Sequence, residues 1–198
     1  QAMAVLDHAV PGSHALVLSG DFSSRIMDEN DPSTAMIFSD AVAGALLRHG
    51  AHSPSFFNLE TWGQGQKAIY SEWEQGKAVM RLNGIDVFAQ SLGQVPAHLR
   101  ALWSYAELDR PADCTHYLHQ ANKVINDALS KQLSLGKAPS SLEVFGNSSS
   151  ASIPLTLLHQ QPTASQVVLC GFGVGFSVAS AALHVSDSCR FRLLELPS

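Results

Sequence analysis

Two polar residues stand where apolar segments stop. His119 follows the short apolar run Tyr117-Leu118 and opens H-Q-A-N, just before a helical pattern begins. A neutral imidazole in such a place can donate or accept a hydrogen bond, and a nearby helix N-terminus disfavours its charged form. Asn147 lies in G-N-S-S-S-A-S-I-P. There Gly146 permits a sharp turn, the serines can cap a following helix, and the Asn amide can donate to a developing oxyanion. A third run, Gly171-Phe172-Gly173-Val174-Gly175-Phe176, lets the backbone come close to a ligand or to itself. It lacks the Lys-Ser/Thr of a phosphate loop and the spacing of a dinucleotide fingerprint. Each of the three also has a structural reading: a satisfied buried His, a polar helix-capping turn, and a tight turn between strands.

The elements that must hold these residues can be read from apolar patterning. Residues 2–9 fit the last turns of a helix that Pro11-Gly12 ends. Residues 15–20 fit a buried strand, 21–34 a polar loop, and the small-residue run 41–47 a further strand. Residues 48–66 are polar with three Gly and a Pro, which places a boundary near residue 55 and divides the chain into 1–55 and 56–198. From Met80 to Leu102 apolar residues recur at helical spacing, and Pro96 splits that stretch into two helices or kinks one. Residues 115–119 read as a strand. Residues 121–135 read as an amphipathic helix with Val124, Ile125, Leu129 and Leu133 on one face and Gly136 as C-cap. Strands are predicted at 142–145, 167–170, 180–185 (178–185 at its widest) and, at an edge, 191–196, with a helix over 153–160 carrying Pro154 in its first turn. Strands alternating with helices argue a layered α/β fold.

Composition narrows the function classes. Net charge is −5 over 198 residues, from 17 acidic and 12 basic side chains, with no basic stripe, so duplex nucleic acid is not an expected partner. No uninterrupted apolar run reaches a membrane span, and the amino end lacks the regions of a signal peptide. Three Cys (Cys114, Cys170, Cys189) suggest neither a disulfide framework nor a Cys-rich zinc site, and a reducing, cytoplasmic compartment is the expectation. His49/His52 and His116/His119 form H-x-x-H pairs without a third ligand at a familiar offset, so no metal is expected.

Together the three motifs, in the order strand–HQAN–helix, strand–GNSSSASIP–helix, strand–GFGVGF–strand, resemble the carboxy-terminal half of β-ketoacyl-acyl carrier protein synthase III, in the thiolase-like superfamily. M-R-L-N-G-I-D-V-F (residues 80–88) looks like that family's M-x-G-x-x-V-F, and I-F-S-D-A-V-A-G-A like its F-G-D-G-A-G-A. The resemblance implies a layered αβαβα fold, of which this chain supplies roughly the C-terminal half together with the end of the N-terminal half.

It also implies a division of labour. His119 and Asn147 fall on the positions that stabilise the enolate formed when a malonyl thioester loses carbon dioxide. A Cys at a helix N-terminus carries the acyl group, and its position falls about one helical turn before Gln1. None of the three Cys present takes that place. Gly84, Asn122, Phe172, Gly173 and Gly175 are expected along the substrate path, and Lys123 and Lys131 on a face that docks an acidic carrier protein. No cofactor is implied, because coenzyme A or acyl carrier protein thioesters are the substrates. Self-association or a separate amino-terminal half would cover an otherwise exposed apolar sheet face, and a homodimer is expected. The pattern departs from the family at Ser39, Ala41-Val42, Val174, Val178-Ala179 and Ile85, which implies a divergent acyl donor or acceptor. Two other functions fit the same fold: acyl transfer to a hydroxyl or amine with His119 as general base, and a catalytically silent partner subunit or excised domain.

Overall fold

In a computed structural model of the chain, residues 1–50, 54–108, 111–186 and 188–194 are described. The strands are β1 (His14–Asp21), β2 (Ala41–Arg48), β3 (Phe56–Thr61), β4 (Ile69–Glu74), β5 (Lys77–Leu82), β6 (Thr115–Leu118), β7 (Gln166–Gly173) and β8 (Ser177–His184). The helices are α1 (Ala2–Asp7), α2 (Pro32–Ala35), α3 (Gly84–Tyr105), α4 (Lys123–Leu133), α5 (Leu142–Phe145) and α6 (Ser152–His159). Among the described residues, no helix is long and apolar enough to cross a membrane.

A four-stranded sheet in the order β3-β8-β7-β6 forms the centre. β6 and β7 run parallel, and the other neighbours are antiparallel. Alternation along β7 sends Val168, Cys170 and Phe172 into the cluster that holds Val95, Leu99 and Leu102 of α3 and Ile125 and Leu129 of α4. Burial of a Leu or Ile of this kind is worth about 1.5–3 kcal/mol, so this face carries most of the apolar stabilisation. On the other side α6 touches β6 and β7, and it also contacts β2 of the β1–β2 hairpin. The described layers are therefore helices, sheet, helix and hairpin, and the α/β reading holds.

On β1–β2, Leu16 faces Leu46 and Gly20 faces Val42 across the ladder. Leu16, Leu18, Val42 and Leu46 are exposed. This is the apolar face anticipated from the sequence. A polar pin, buried at His98 and Ser180 and exposed at Glu60, joins α3 to the far sheet edge. The His98 Nδ1 lies 2.5 Å from Glu60 Oε2 on β3, and Nε2 lies 2.8 Å from Ser180 Oγ on β8.

Several elements differ from the sequence reading, each for a local reason. β3 lies inside the stretch read as polar linker. β4 and β5 form a hairpin across Gln75 (φ 47°) and Gly76 (φ 83°), the two left-handed residues of a tight turn. Met80–Leu82 therefore belong to a strand, and α3 starts only at Gly84, where Asn83 Oδ1 accepts from the Ile85 and Asp86 N–H groups. Pro96 does not divide the helix, since Gly84–Tyr105 is one element. The loop 21–34 contains the N-terminal part of α2, which Asp31 caps by accepting from the Ser33 N–H at 2.9 Å. Leu142–Phe145, expected as a strand, is a helical turn closed by N–H donation from Phe145 and Gly146 to Ser141 and Leu142. Four residues, three of them apolar, fit either period, and here the local bonds decide. Ser134, not Gly136, is the left-handed C-cap of α4. Val124 is 67% exposed, because the buried ridge runs through Ile125, Leu129 and Leu133 with Asn126 beside it. Residues 191–194 form no strand, and 195–196 lie outside the described residues.

Candidate active site

The site begins at the end of β6. The His119 N–H donates to the Cys170 carbonyl at 2.8 Å, which extends the β6–β7 ladder by one bond and fixes the His backbone on the sheet. Gln120 is fully buried and locks the turn that follows. Its Nε2 donates to the Leu118 carbonyl, and its Oε1 accepts from Ser140 Oγ and the Ser141 N–H. Asn122 then caps α4, accepting from the Ile125 N–H at 2.9 Å.

The His119 ring lies edge-on to Phe172, with centroids 5.3 Å apart. Its Nδ1 is 2.7 Å from Ser152 Oγ, at the first residue of α6. That oxygen also accepts from the Gln120 N–H. Nδ1 is the acceptor these contacts offer the serine proton, and with the serine donating there the ring proton is on Nε2. Burial lowers the His119 pKa from 6.5 to about 4, so the imidazole is neutral at pH 7.

Asn147 is buried and fixed from four directions. Its N–H donates to the Ile37 carbonyl at 3.0 Å, and its carbonyl accepts from the Ser39 N–H at 3.0 Å. Its side-chain Oδ1 accepts from the Ser149 N–H at 3.0 Å, while Nδ2 donates to the Ala121 carbonyl at 3.2 Å. These bonds set which end of the amide is which and leave one Nδ2 hydrogen free. Gly146 precedes it at φ 62°, the left-handed conformation that the turn requires.

Both residues line one cavity of about 340 Å³, together with Gly84, Asn122, Phe172 and Gly173. Its remaining wall is largely apolar, with Ile69, Met80 and Leu82 from the β4–β5 hairpin, Val87 from α3, Ile125 from α4 and Ile153 from α6. Both side chains thus border a cavity with a largely apolar wall, the surroundings in which N–H donors act most strongly on charge.

The other expected residues fall elsewhere. Gly175 does not line the cavity. It sits in the β7–β8 turn at φ 134°, and a Cβ there would come within 2.9 Å of the Ser177 nitrogen. Lys123 and Lys131 lie on the outer side of α4, along a separate polar groove of about 890 Å³ that also holds Lys137, Glu143 and His159. Lys123 is paired with Asp127 at 3.1 Å. Ile85 is exposed and also lies outside the cavity wall. No Cys lines the cavity. Cys170 is buried in β7 with its thiol pushed up to about 12, Cys114 is raised by partial burial, and Cys189 is exposed.

The two His of H-x-x-H diverge. His116 turns toward α3, where its ring meets Trp103 edge-on at 5.5 Å, while His119 faces the cavity. His52 of the other pair lies outside the described residues. Among the described residues no group of three or more His, Cys, Asp or Glu could hold a metal ion. Sequence reasoning missed Ser152 as the partner of His119, although it stands in the quoted motif. It also missed the β4–β5 wall of the cavity.

The family model described as 3-oxoacyl-[acyl-carrier-protein] synthase III matches residues 1–65, and that described as its C-terminal part matches residues 110–185. A β-ketoacyl-[acyl-carrier-protein] synthase III of Oenococcus oeni is 31% identical over 193 residues, covering 85% of this chain and 58% of that protein. The crystal structure of the 3-oxoacyl-(acyl carrier protein) synthase III of Pseudomonas aeruginosa superposes with a TM-score of 0.78 at 28% identity, covering 87% of this chain and 58% of that one. The Thermus thermophilus β-ketoacyl-acyl carrier protein synthase III gives a TM-score of 0.81 at 25% identity, covering 94% of this chain and 63% of that one. The chain thus spans about three-fifths of the length of these relatives. Matched in order by both parts of the family pattern, and folded as its solved members are, the chain belongs to the 3-oxoacyl-acyl-carrier-protein synthase III family, as a partial-length protein of the thiolase-like α/β fold.

Proposed function

We propose that the chain supplies the decarboxylating side of a decarboxylative condensation. A malonyl thioester places its carbonyl oxygen between His119 Nε2–H and the free Nδ2–H of Asn147. The bond to the carboxylate carbon breaks, carbon dioxide leaves, and its electron pair passes into the thioester as an enolate. The two N–H groups carry the charge that collects on oxygen. The resulting carbanion attacks the acyl carbon of an acyl-Cys thioester, and the Cys thiolate departs. That Cys is assigned to the part of the relatives' length that this chain does not span.

The observation that carries this reading is that each group's second polar atom is already occupied. Ser152 engages Nδ1 of His119, and the Ser149 N–H engages Oδ1 of Asn147. Both side chains are therefore left as donors rather than acceptors. Acyl transfer to a hydroxyl or amine with His119 as base fits less well. That role needs a free ring nitrogen acceptor with a pKa near the working pH, and the pKa here is about 4.

The substrates in this reading are carrier protein or coenzyme A thioesters, without a cofactor. Lys131 and Lys123 belong to the carrier-docking face, with Lys123 partly neutralised by Asp127. The exposed apolar side of β1–β2 is assigned to contact with the remainder of the protein or with a second copy in a homodimer. The test is malonyl-thioester decarboxylation by the full-length protein. Asn147→Ala lowers its rate by about 10²–10³ in this reading. An Asn147→Ala protein that decarboxylates at the parent rate refutes it.

A further inference from the structure

The loop that carries Asn147 is held by residues far from it in sequence. Ile37 and Ser39 clasp its backbone, Phe38 pairs with Asn147 as a parallel bridge, and Ser39 Oγ donates to the Phe145 carbonyl. A second grip lies three residues further on. One carboxylate oxygen of Asp21, at the end of β1, accepts both the Ser150 N–H at 3.1 Å and the Ser150 Oγ–H at 2.6 Å. Asp21 does not line the cavity of His119 and Asn147. It lines an adjoining pocket of about 360 Å³.

Between the two grips stands Ser149, at φ 48°, a left-handed conformation that a serine adopts only when its neighbours hold it there. The Ser149 N–H is the group that donates to Asn147 Oδ1. Ser150 anchored to Asp21 therefore fixes Ser149, and Ser149 fixes the direction of the Asn147 amide.

We propose that Asp21 is a positioning residue for Asn147, acting through Ser150 and Ser149 to aim the Nδ2–H into the cavity. As a role in catalysis, the inference rests on the function proposed above; as a statement about geometry, it stands on the bonds themselves. Asp21 touches no reacting atom. Its effect is to hold a donor whose misplacement by a fraction of an ångström weakens charge stabilisation more than substrate binding.

The experiment uses full-length protein with Asp21→Ala and, as a milder variant that keeps the carboxylate, Ser150→Ala. Two readouts are taken: kcat and KM for malonyl-thioester decarboxylation, and the side-chain amide signals of Asn147 by ¹H–¹⁵N NMR. The expected result is a fall in kcat of about tenfold for Asp21→Ala, with a smaller fall for Ser150→Ala and KM nearly constant. The Asn147 amide signals shift or broaden in both variants, while the Trp103 indole signal stays in place. Asp21→Glu, which keeps the acceptor, recovers part of the rate. Unchanged kcat and unchanged Asn147 signals in both variants overturn the proposal. If the parent protein does not decarboxylate, the proposed function fails, and the Asn147 signals alone decide whether Asp21 positions that amide.

Discussion

His116 and His119 lie three residues apart at one strand end and both are driven toward the neutral form by burial, yet they differ in what their second ring nitrogen faces. Each has its pKa lowered from 6.5 to about 4. His119 has a hydroxyl partner on Nδ1 and a cavity before its other nitrogen. His116 donates from Nδ1 to the Cys114 carbonyl at 3.1 Å, and its buried Nε2 has no partner among the described residues, nor has the Nε1 of Trp103 beside it. Burial alone therefore does not mark a functional histidine. The mark is burial combined with an engaged second nitrogen and an open space, and only His119 has all three.

This contrast can be broken at several points. The largest effect is expected from His119→Ala in the full-length protein, where malonyl-thioester decarboxylation falls by about 10²–10³. His116→Leu leaves that rate near the parent value, and a comparable loss in both variants would erase the distinction.

Acid sharpens the comparison next. Each imidazole is neutral in the fold while its unfolded counterpart protonates near pH 6.5. The folded-state pKa values are lowered, so the stability of the fold is fully present above about pH 6.5. It declines as pH falls toward 4, by on the order of 3 kcal/mol for each histidine. Urea denaturation from pH 7 to pH 4 should show this loss, and His116→Leu should remove about half of it. Stability that does not change over that range contradicts the burial of both rings in their neutral forms.

At neutral pH His116→Leu is expected to change stability by no more than about 1 kcal/mol, because removing the unpartnered Nε2 acceptor is offset by losing the Nδ1–H bond to the Cys114 carbonyl. Ser152→Ala tests the other side of the comparison. It frees Nδ1 of His119 and should lower the decarboxylation rate by about tenfold, roughly 1.4 kcal/mol, without the acid-stability change of His116→Leu. The smallest effect is expected at the surface. Lys131→Glu should raise KM for a carrier-protein thioester a few-fold and leave kcat unchanged, since exposed charges mainly guide association. An unaltered KM removes Lys131 from the docking face.

The site was more legible in the sequence than the elements around it. His119 and Asn147 could be found because polar residues at strand ends, followed by capping residues, form short contiguous patterns that tertiary structure does not rearrange. Family resemblance implies that Gly84, Asn122, Phe172 and Gly173 lie along the substrate path, and in the structure they line the cavity of His119 and Asn147. The β4–β5 hairpin was hidden, because its turn is Gln75-Gly76 and its strands carry Glu and Lys on an open face. Leu142–Phe145 looks like a strand in the sequence because three apolar residues around Glu143 are too short a run to fix a period. Resemblance puts Gly175 on the substrate path, whereas a Gly at φ 134° is already required by the turn itself. The role of Ser152 was not legible, because its partner stands 33 residues away and only the packing of α6 against β6 brings them together.

The central claim is that His119 offers a proton on Nε2 because Ser152 engages Nδ1. The most direct measurement is the ¹⁵N shift pattern of the His119 ring in the full-length protein at pH 7, identified by loss of its signals in His119→Ala. The predicted result is a neutral imidazole protonated on Nε2, with the pattern altered in Ser152→Ala. A ring protonated on Nδ1 alone, or an imidazolium at pH 7, would contradict the account.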